Sequence, residues 1–278
     1  MKLAVSNIAW DNAELSEHLA LIRDLGCDGV ELAPSCVWPE PAEVAGDESA
    51  GVTRLIRRAG LEVTGFLSLL YTRRDLQLFQ DAPTRRRTID YLGALGRLCA
   101  EMGGKVLVFG SPKNRARHGH TTAECLDWAV EVFSQAAREA QRAGVTLCIE
   151  PLSPEETDFI QSSAEGLELV RRVDQQGFGL HLDAKAMLAS REDPEAVLRD
   201  ARSFVRHVHV GDPGLAPPGS TGADHAPIGR ALRRSGYRGY VSIEMRRGFG
   251  PSREVIANSV AYVKQHYLES HEAIQPLA

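Results

Sequence analysis

Long apolar runs are missing from this 278-residue chain: none approaches the roughly 20 residues that a membrane-spanning helix needs. The opening stretch turns polar at Ser6 and Asn7, so no signal peptide is expected either. Cysteine is sparse. Cys27, Cys36, Cys99, Cys125 and Cys148 make an odd set with no C-x-x-C spacing, which excludes a disulfide frame or a zinc knuckle and fits a reducing cytoplasm. Positive charge is not in excess, and a net charge of −5 offers no general attraction to nucleic acid. No low-complexity linker breaks the chain, so residues 1–278 read as a single domain closed by a C-terminal helix.

What the chain does contain is regular alternation. Short apolar runs predict strands at Lys2 to Val5, Gly29 to Leu32, Leu61 to Ser68, Lys105 to Phe109, Val145 to Ile149, Phe178 to Leu182, Phe204 to Val210 and Tyr240 to Ile243. Helical spacing predicts helices between them: Ala13 to Leu25, Glu48 to Ala59, Thr84 to Met102, Thr122 to Ala143, Ser163 to Val173, Pro194 to Ala201 and Pro227 to Arg234. Arg253 to Leu268 follows as the last. Eight strand–helix units at a spacing of roughly 30 residues match the size of a βα repeat. Non-alternating apolar strands imply a parallel sheet covered by helices, and eight such units imply an α/β fold, a single (β/α)8 TIM barrel. An open doubly wound sheet is the competing arrangement. It would splay apart the polar strand ends described next.

The last four strands share one figure. Cys148-Ile149 runs into Glu150, Leu182 into Asp183, Ile243 into Glu244, and the seventh strand carries His209 near its end. In such barrels the C-terminal strand ends build the active site. Three carboxylates crowded together repel one another unless a cation lies between them. Three hard oxygen donors and an imidazole suit one divalent ion, Mn²⁺ first, with Mg²⁺, Co²⁺ or Zn²⁺ also compatible.

These segments, Cys148-Ile149-Glu150-Pro151, His181-Leu182-Asp183, His207 through Asp212 and Val241-Ser242-Ile243-Glu244, resemble the sugar-phosphate isomerase/epimerase group. That group is built on the xylose isomerase-like barrel and includes ketose 3-epimerases, hydroxypyruvate isomerases and inosose-processing enzymes. The resemblance implies that Glu150, Asp183, His209 and Glu244 are metal ligands and that Glu150 and Glu244 are also the acid/base pair. It implies a small carbohydrate or cyclitol substrate, a role in carbohydrate metabolism, and a homodimer or homotetramer. Two positions depart from the ketohexose 3-epimerase pattern: Ala186 stands where a substrate-binding His is expected, and Leu215 where an Arg is expected.

Further substrate-binding candidates are Glu156 after strand five, His181, Lys185, Asp212, His225, Arg246, Trp10 and Lys113. Glu31 is a candidate for a substrate hydroxyl or a pair with a nearby Lys or Arg, and His181 and His207 for orienting a ligand or packing in the barrel interior. Lys113, Arg115, Arg117, His118 and His120 form a polar loop after strand four, suited to a lid, to binding an anionic group or to solvent. Arg85-Arg86-Arg87 reads as a solvated helix surface. Trp10, Trp38 and Phe66 are candidates for apolar walls against a sugar ring, or for core. Three other functions use related parts. A dehydratase or lyase acting on a keto-cyclitol or 3-keto-glycoside would begin with the same proton abstraction. An endonuclease IV-like nuclease needs more histidines and a basic groove. A sugar-binding barrel without turnover would not need two carboxylates facing one carbon.

Overall fold

The computed structural model describes residues 1–269; the remaining nine residues of the expected domain lie outside the described residues. Eight parallel strands close into a barrel in chain order. They are β1 (Lys2–Ser6), β2 (Gly29–Leu32), β3 (Glu62–Phe66), β4 (Val106–Phe109), β5 (Thr146–Ile149), β6 (Phe178–Asp183), β7 (Val205–Val210) and β8 (Tyr240–Ile243). Lys2 opposite Tyr240 seals the first strand to the last. The main helices are α1 (Leu15–Asp24), α2 (Gly46–Arg58), α3 (Ala82–Met102), α4 (Thr122–Ala143), α5 (Ser163–Val173), α6 (Pro194–Ala201), α7 (Ala226–Arg234) and α8 (Ser252–Val263). No helix among the described residues is long and apolar enough to cross a membrane.

The element ends follow local chemistry. The side chain of Asp81 caps α3 by accepting from Thr84 N–H at 2.8 Å, which starts the helix two residues before the expected Thr84. Thr121 and Glu124 form a reciprocal capping box that opens α4, and Gly144 at φ +79° closes it. The third strand stops at Phe66 rather than Ser68, because Ser68 turns left-handed at φ +54°. The last helix divides into α8 and a π-helical turn, Lys264–Leu268. A short helix, Ala184–Ala189, is missing from the sequence reading. Asp183 caps it, accepting from Lys185 N–H at 2.9 Å.

The layer between strands and helices is apolar, with Leu19, Ile22, Phe109, Phe133, Leu147 and Leu169 fully buried. The barrel interior near the C-terminal ends is different. Glu31, His181, His207 and His209 are at most 1% exposed, where apolar side chains usually fill such a barrel. Register sets two of the predicted residues side by side: Asp183 pairs with His209, and His209 with Ser242. Arg86 and Arg87 lie on the α3 surface as expected, Arg86 pairing with Asp90 at 3.1 Å, but Arg85 folds over the Trp128 ring and is largely buried.

Candidate active site

Glu150 and Glu244 each lie one residue beyond a strand but remain on the ladder. Glu150 N–H donates to Phe109 O at 3.1 Å, and Glu244 N–H donates to Val210 O at 3.0 Å. Their carboxylates therefore have fixed roots. Both line a cavity of about 620 Å³ at the C-terminal mouth. Asp183 and His209 lie beneath it. The carboxylates of Glu150, Asp183 and Glu244 each offer an oxygen within 4.8 Å of the others. His209 Nδ1 is 3.4 Å from Glu244 Oε2 and 3.8 Å from Glu150 Oε1.

Among the buried atoms without a hydrogen bond here are His209 Nδ1, both ring nitrogens of His181 and Asp183 Oδ2, the last facing the Lys185 ammonium at 3.4 Å. The other polar atom of Asp183 and of His209 is engaged. Asp183 Oδ1 accepts the cap bond, and His209 Nε2 lies 2.9 Å from Glu31 Oε2. If Nε2–H donates to Glu31, Nδ1 keeps its lone pair and faces the carboxylates. Opposed ligands of a small divalent ion bound at about 2.0–2.1 Å lie roughly 4.2 Å apart. The three carboxylates thus fit one cation by donor type and by spacing, and His209 Nδ1 borders two of them.

Without a cation, protons take its place in this cluster. Burial pushes the Asp183 carboxyl up to about 7; Lys185 opposes this, and the Glu150 and Glu244 charges add to it. Burial acts to lower the His209 imidazole, but Glu31 and Glu244 outweigh it and hold it well above the ordinary value. Burial likewise raises the Glu31 carboxyl, yet His209 and His207 hold it well below the usual range.

Glu31 corrects the sequence reading. It is fully buried, contacts no open part of the cavity, and pairs with His209 at 2.9 Å and His207 at 3.3 Å. A carboxylate behind a histidine orients it for a metal. The signal was available: an acid inside an apolar strand needs a partner, and His207 and His209 alternate onto one face. Glu31→Gln is expected to weaken metal binding about ten- to a hundredfold, measured by titration calorimetry.

The substrate candidates divide. Trp10, Glu156, Lys185 and Arg246 line the cavity. Lys185 Nζ lies 2.7 Å from Glu156 Oε1 and 3.4 Å from Asp183 Oδ2, so the ammonium sits between the mouth and the acid cluster. The others lie elsewhere. Asp212 is fully buried and its oxygens accept from Gly219 N–H, Thr221 N–H and the Thr221 hydroxyl. His225 is fully buried between Asp212 and Tyr267, 2.7 Å from each, so both residues brace the loop after β7. His181 is also fully buried, 3.8 Å from Glu150, and forms no part of the cavity wall. Lys113 points to solvent, while its neighbour Pro112 reaches the cavity. Trp38 and Phe66 belong to the core.

The polar loop after β4 hides a residue that reading it as a lid or a solvated loop missed. Arg115 is fully buried and donates Nη1–H to the Glu150 carbonyl at 2.8 Å, bracing the backbone under the carboxylate. Burial pushes this guanidinium down, to about 10. Gly110 does similar work by omission, since a Cβ there would collide with Glu150 Oε2. Gly110→Ala is expected to lower turnover at least tenfold while the melting temperature moves little, checked by kinetics beside calorimetry. Three non-glycine residues with left-handed backbone also border the cavity: Ser68 (φ +54°), Ser111 (φ +42°) and Leu215 (φ +55°). Such a conformation costs about 1–2 kcal/mol per residue, and strain of this kind gathers at functional sites.

The family model described as xylose isomerase-like TIM barrel matches residues 19–266. The chain belongs to this family. It is 25% identical over 248 residues to the L-ribulose 3-epimerase of Mesorhizobium japonicum, covering 87% of this chain and 80% of that one. It is 22% identical over 271 residues to the 3-dehydro-D-guloside 4-epimerase of Escherichia coli, covering 95% and 99%. A stretch of 120 residues is 32% identical to the D-psicose 3-epimerase of Ruminiclostridium cellulolyticum, 42% of this chain and 41% of the relative. A crystal structure of D-psicose 3-epimerase in the presence of D-fructose superposes with a TM-score of 0.82 at 21% identity, covering 96% of this chain and 99% of that one. These relatives are sugar epimerases, which groups this xylose isomerase-like barrel with the isomerases.

Proposed function

We propose that the protein is a divalent-metal-dependent epimerase of a keto sugar, with Glu150, Asp183, His209 and Glu244 as ligands of one ion. The observation that carries this is the cluster of three carboxylates, Glu150, Asp183 and Glu244, each offering an oxygen within 4.8 Å of the others, with the unbonded His209 Nδ1 beside two of them. Mn²⁺ suits the donor set best, ahead of Mg²⁺, Co²⁺ and Zn²⁺. The bound ion would polarise the carbonyl and make the neighbouring C–H more acidic.

The chain's own residues do the rest. Glu150 and Glu244 stand just past the ends of β5 and β8, on either side of the strands that carry Asp183 and His209, so a sugar carbon held between them has one carboxylate toward each face. One takes the proton, and the other returns one to the opposite face, inverting the centre. Return to the neighbouring carbon would give aldose–ketose isomerisation instead. Lys185, held by Glu156, offers N–H donors to a substrate hydroxyl or to negative charge developing on oxygen. Arg115 and Gly110 hold Glu150 in place. The free cysteines suit a reducing cytoplasm, and a homodimer or homotetramer is the expected assembly.

The test is incubation of Mn²⁺-loaded protein with ketohexoses, ketopentoses, keto-glycosides and keto-cyclitols in D₂O, followed by NMR. Deuterium incorporation beside the carbonyl with appearance of the epimer is expected. Water loss or aglycone release without an epimer would mark a dehydratase or lyase instead.

A further inference from the structure

The cavity has two chemically different halves. The acid cluster and Lys185 occupy the side built by β5–β8, while the loops after β1, β3 and β4 contribute Trp10, Leu67, Ser68, Tyr71 and Ser111. Resting on the epimerase reading, we propose that this second half is a subsite for another sugar ring. The substrate is then a keto-disaccharide, a ketosugar joined through a glycosidic bond to a second sugar.

Size is the first support. Even at the ~30 Å³ that each molecule occupies in liquid water, the twelve heavy atoms of a hexose fill only about 360 Å³. The cavity measures about 620 Å³. A ketosugar held against the acid cluster therefore leaves the β1–β4 half open.

The chemistry of that half is the second support. Sugar rings present flat C–H faces bordered by hydroxyls, which calls for apolar walls with polar groups set among them. Trp10, Leu67 and Tyr71 supply the walls. Tyr71 is 77% exposed, a large aromatic side chain left open at the mouth. Ser68 and Ser111 supply hydroxyls from left-handed backbone, a conformation that glycine adopts freely and serine does not. Ser111 Oγ is buried without a hydrogen-bond partner. Two strained serines on one cavity wall, where glycine would fold more easily, point to a use for their hydroxyls.

The test compares kcat/KM for deuterium incorporation on a free ketohexose and on a disaccharide oxidised to the ketone at one ring carbon. The disaccharide is expected to be favoured at least tenfold. The Ser68→Gly/Ser111→Gly double variant is expected to melt higher, because strain is relieved, and to narrow that preference about fivefold or more. Tyr71→Ala is expected to narrow it as well. Equal rates on both sugars would overturn the subsite, as would a double variant that melts higher with its preference unchanged. Failure of every ketosugar to incorporate deuterium would overturn the epimerase reading itself.

Discussion

Glu150→Gln and Glu244→Gln are each expected to cut exchange of the substrate's carbon-bound proton about a thousandfold. A positioned general base contributes roughly a hundred- to ten-thousandfold, and here each carboxylate would also contribute charge to the proposed ion site. Glutamine keeps the size and one oxygen of glutamate but neither accepts the proton nor carries the charge. The fold should survive both changes, because the backbone at 150 and 244 is held by the barrel ladder and, at 150, by Arg115. Solvent-deuterium NMR at saturating Mn²⁺ reads the chemistry, and calorimetry reads the fold. A variant that binds metal, melts like the wild type and still exchanges at full rate would remove that residue from the acid/base pair.

Removing the metal is expected to have the second large effect. Chelation should abolish turnover and lower the melting temperature by several degrees, with Mn²⁺ restoring both. Asp183→Asn should behave in the opposite way without metal: it should melt higher than metal-free wild type. Burial and the neighbouring Glu150 and Glu244 raise the Asp183 carboxyl from 3.8 to about 7 in the fold. The folded protein therefore holds a proton that the unfolded chain has lost, and metal-free stability falls as pH rises through that window from about 4 to 7. Above it the penalty is complete; below it both states are protonated and the penalty vanishes. The asparagine variant should lose this component of the pH dependence along with its response to Mn²⁺. Thermal melts at pH 5 and pH 8, with and without the ion, check both signs.

The barrel was legible because its signals are local. Apolar runs such as Val106–Phe109 and Tyr240–Ile243, stopped by a polar residue or a glycine, mark buried parallel strands. The acids at strand ends were legible for the same reason: an acid that ends a buried strand needs a partner. What lay beyond the sequence was direction and distance across the barrel. Glu31 meets His209 178 residues away, and nothing near either residue in the chain announces the other. Asp212 and His225 looked like mouth residues because they follow β7, yet the loop folds back and buries both, His225 against Tyr267 and Asp212 against His225. Arg115 read as solvated because arginine in a polar loop usually is. Its burial depends on the Glu150 carbonyl, whose position only the closed barrel fixes.

Mn²⁺ titration of the metal-free protein, by calorimetry or electron paramagnetic resonance, bears most directly on the four-residue site. One ion per chain is expected, with binding lost in Asp183→Ala and in Glu244→Ala while both variants stay folded. Absence of binding by the wild type, or binding that both substitutions leave unchanged, would contradict it.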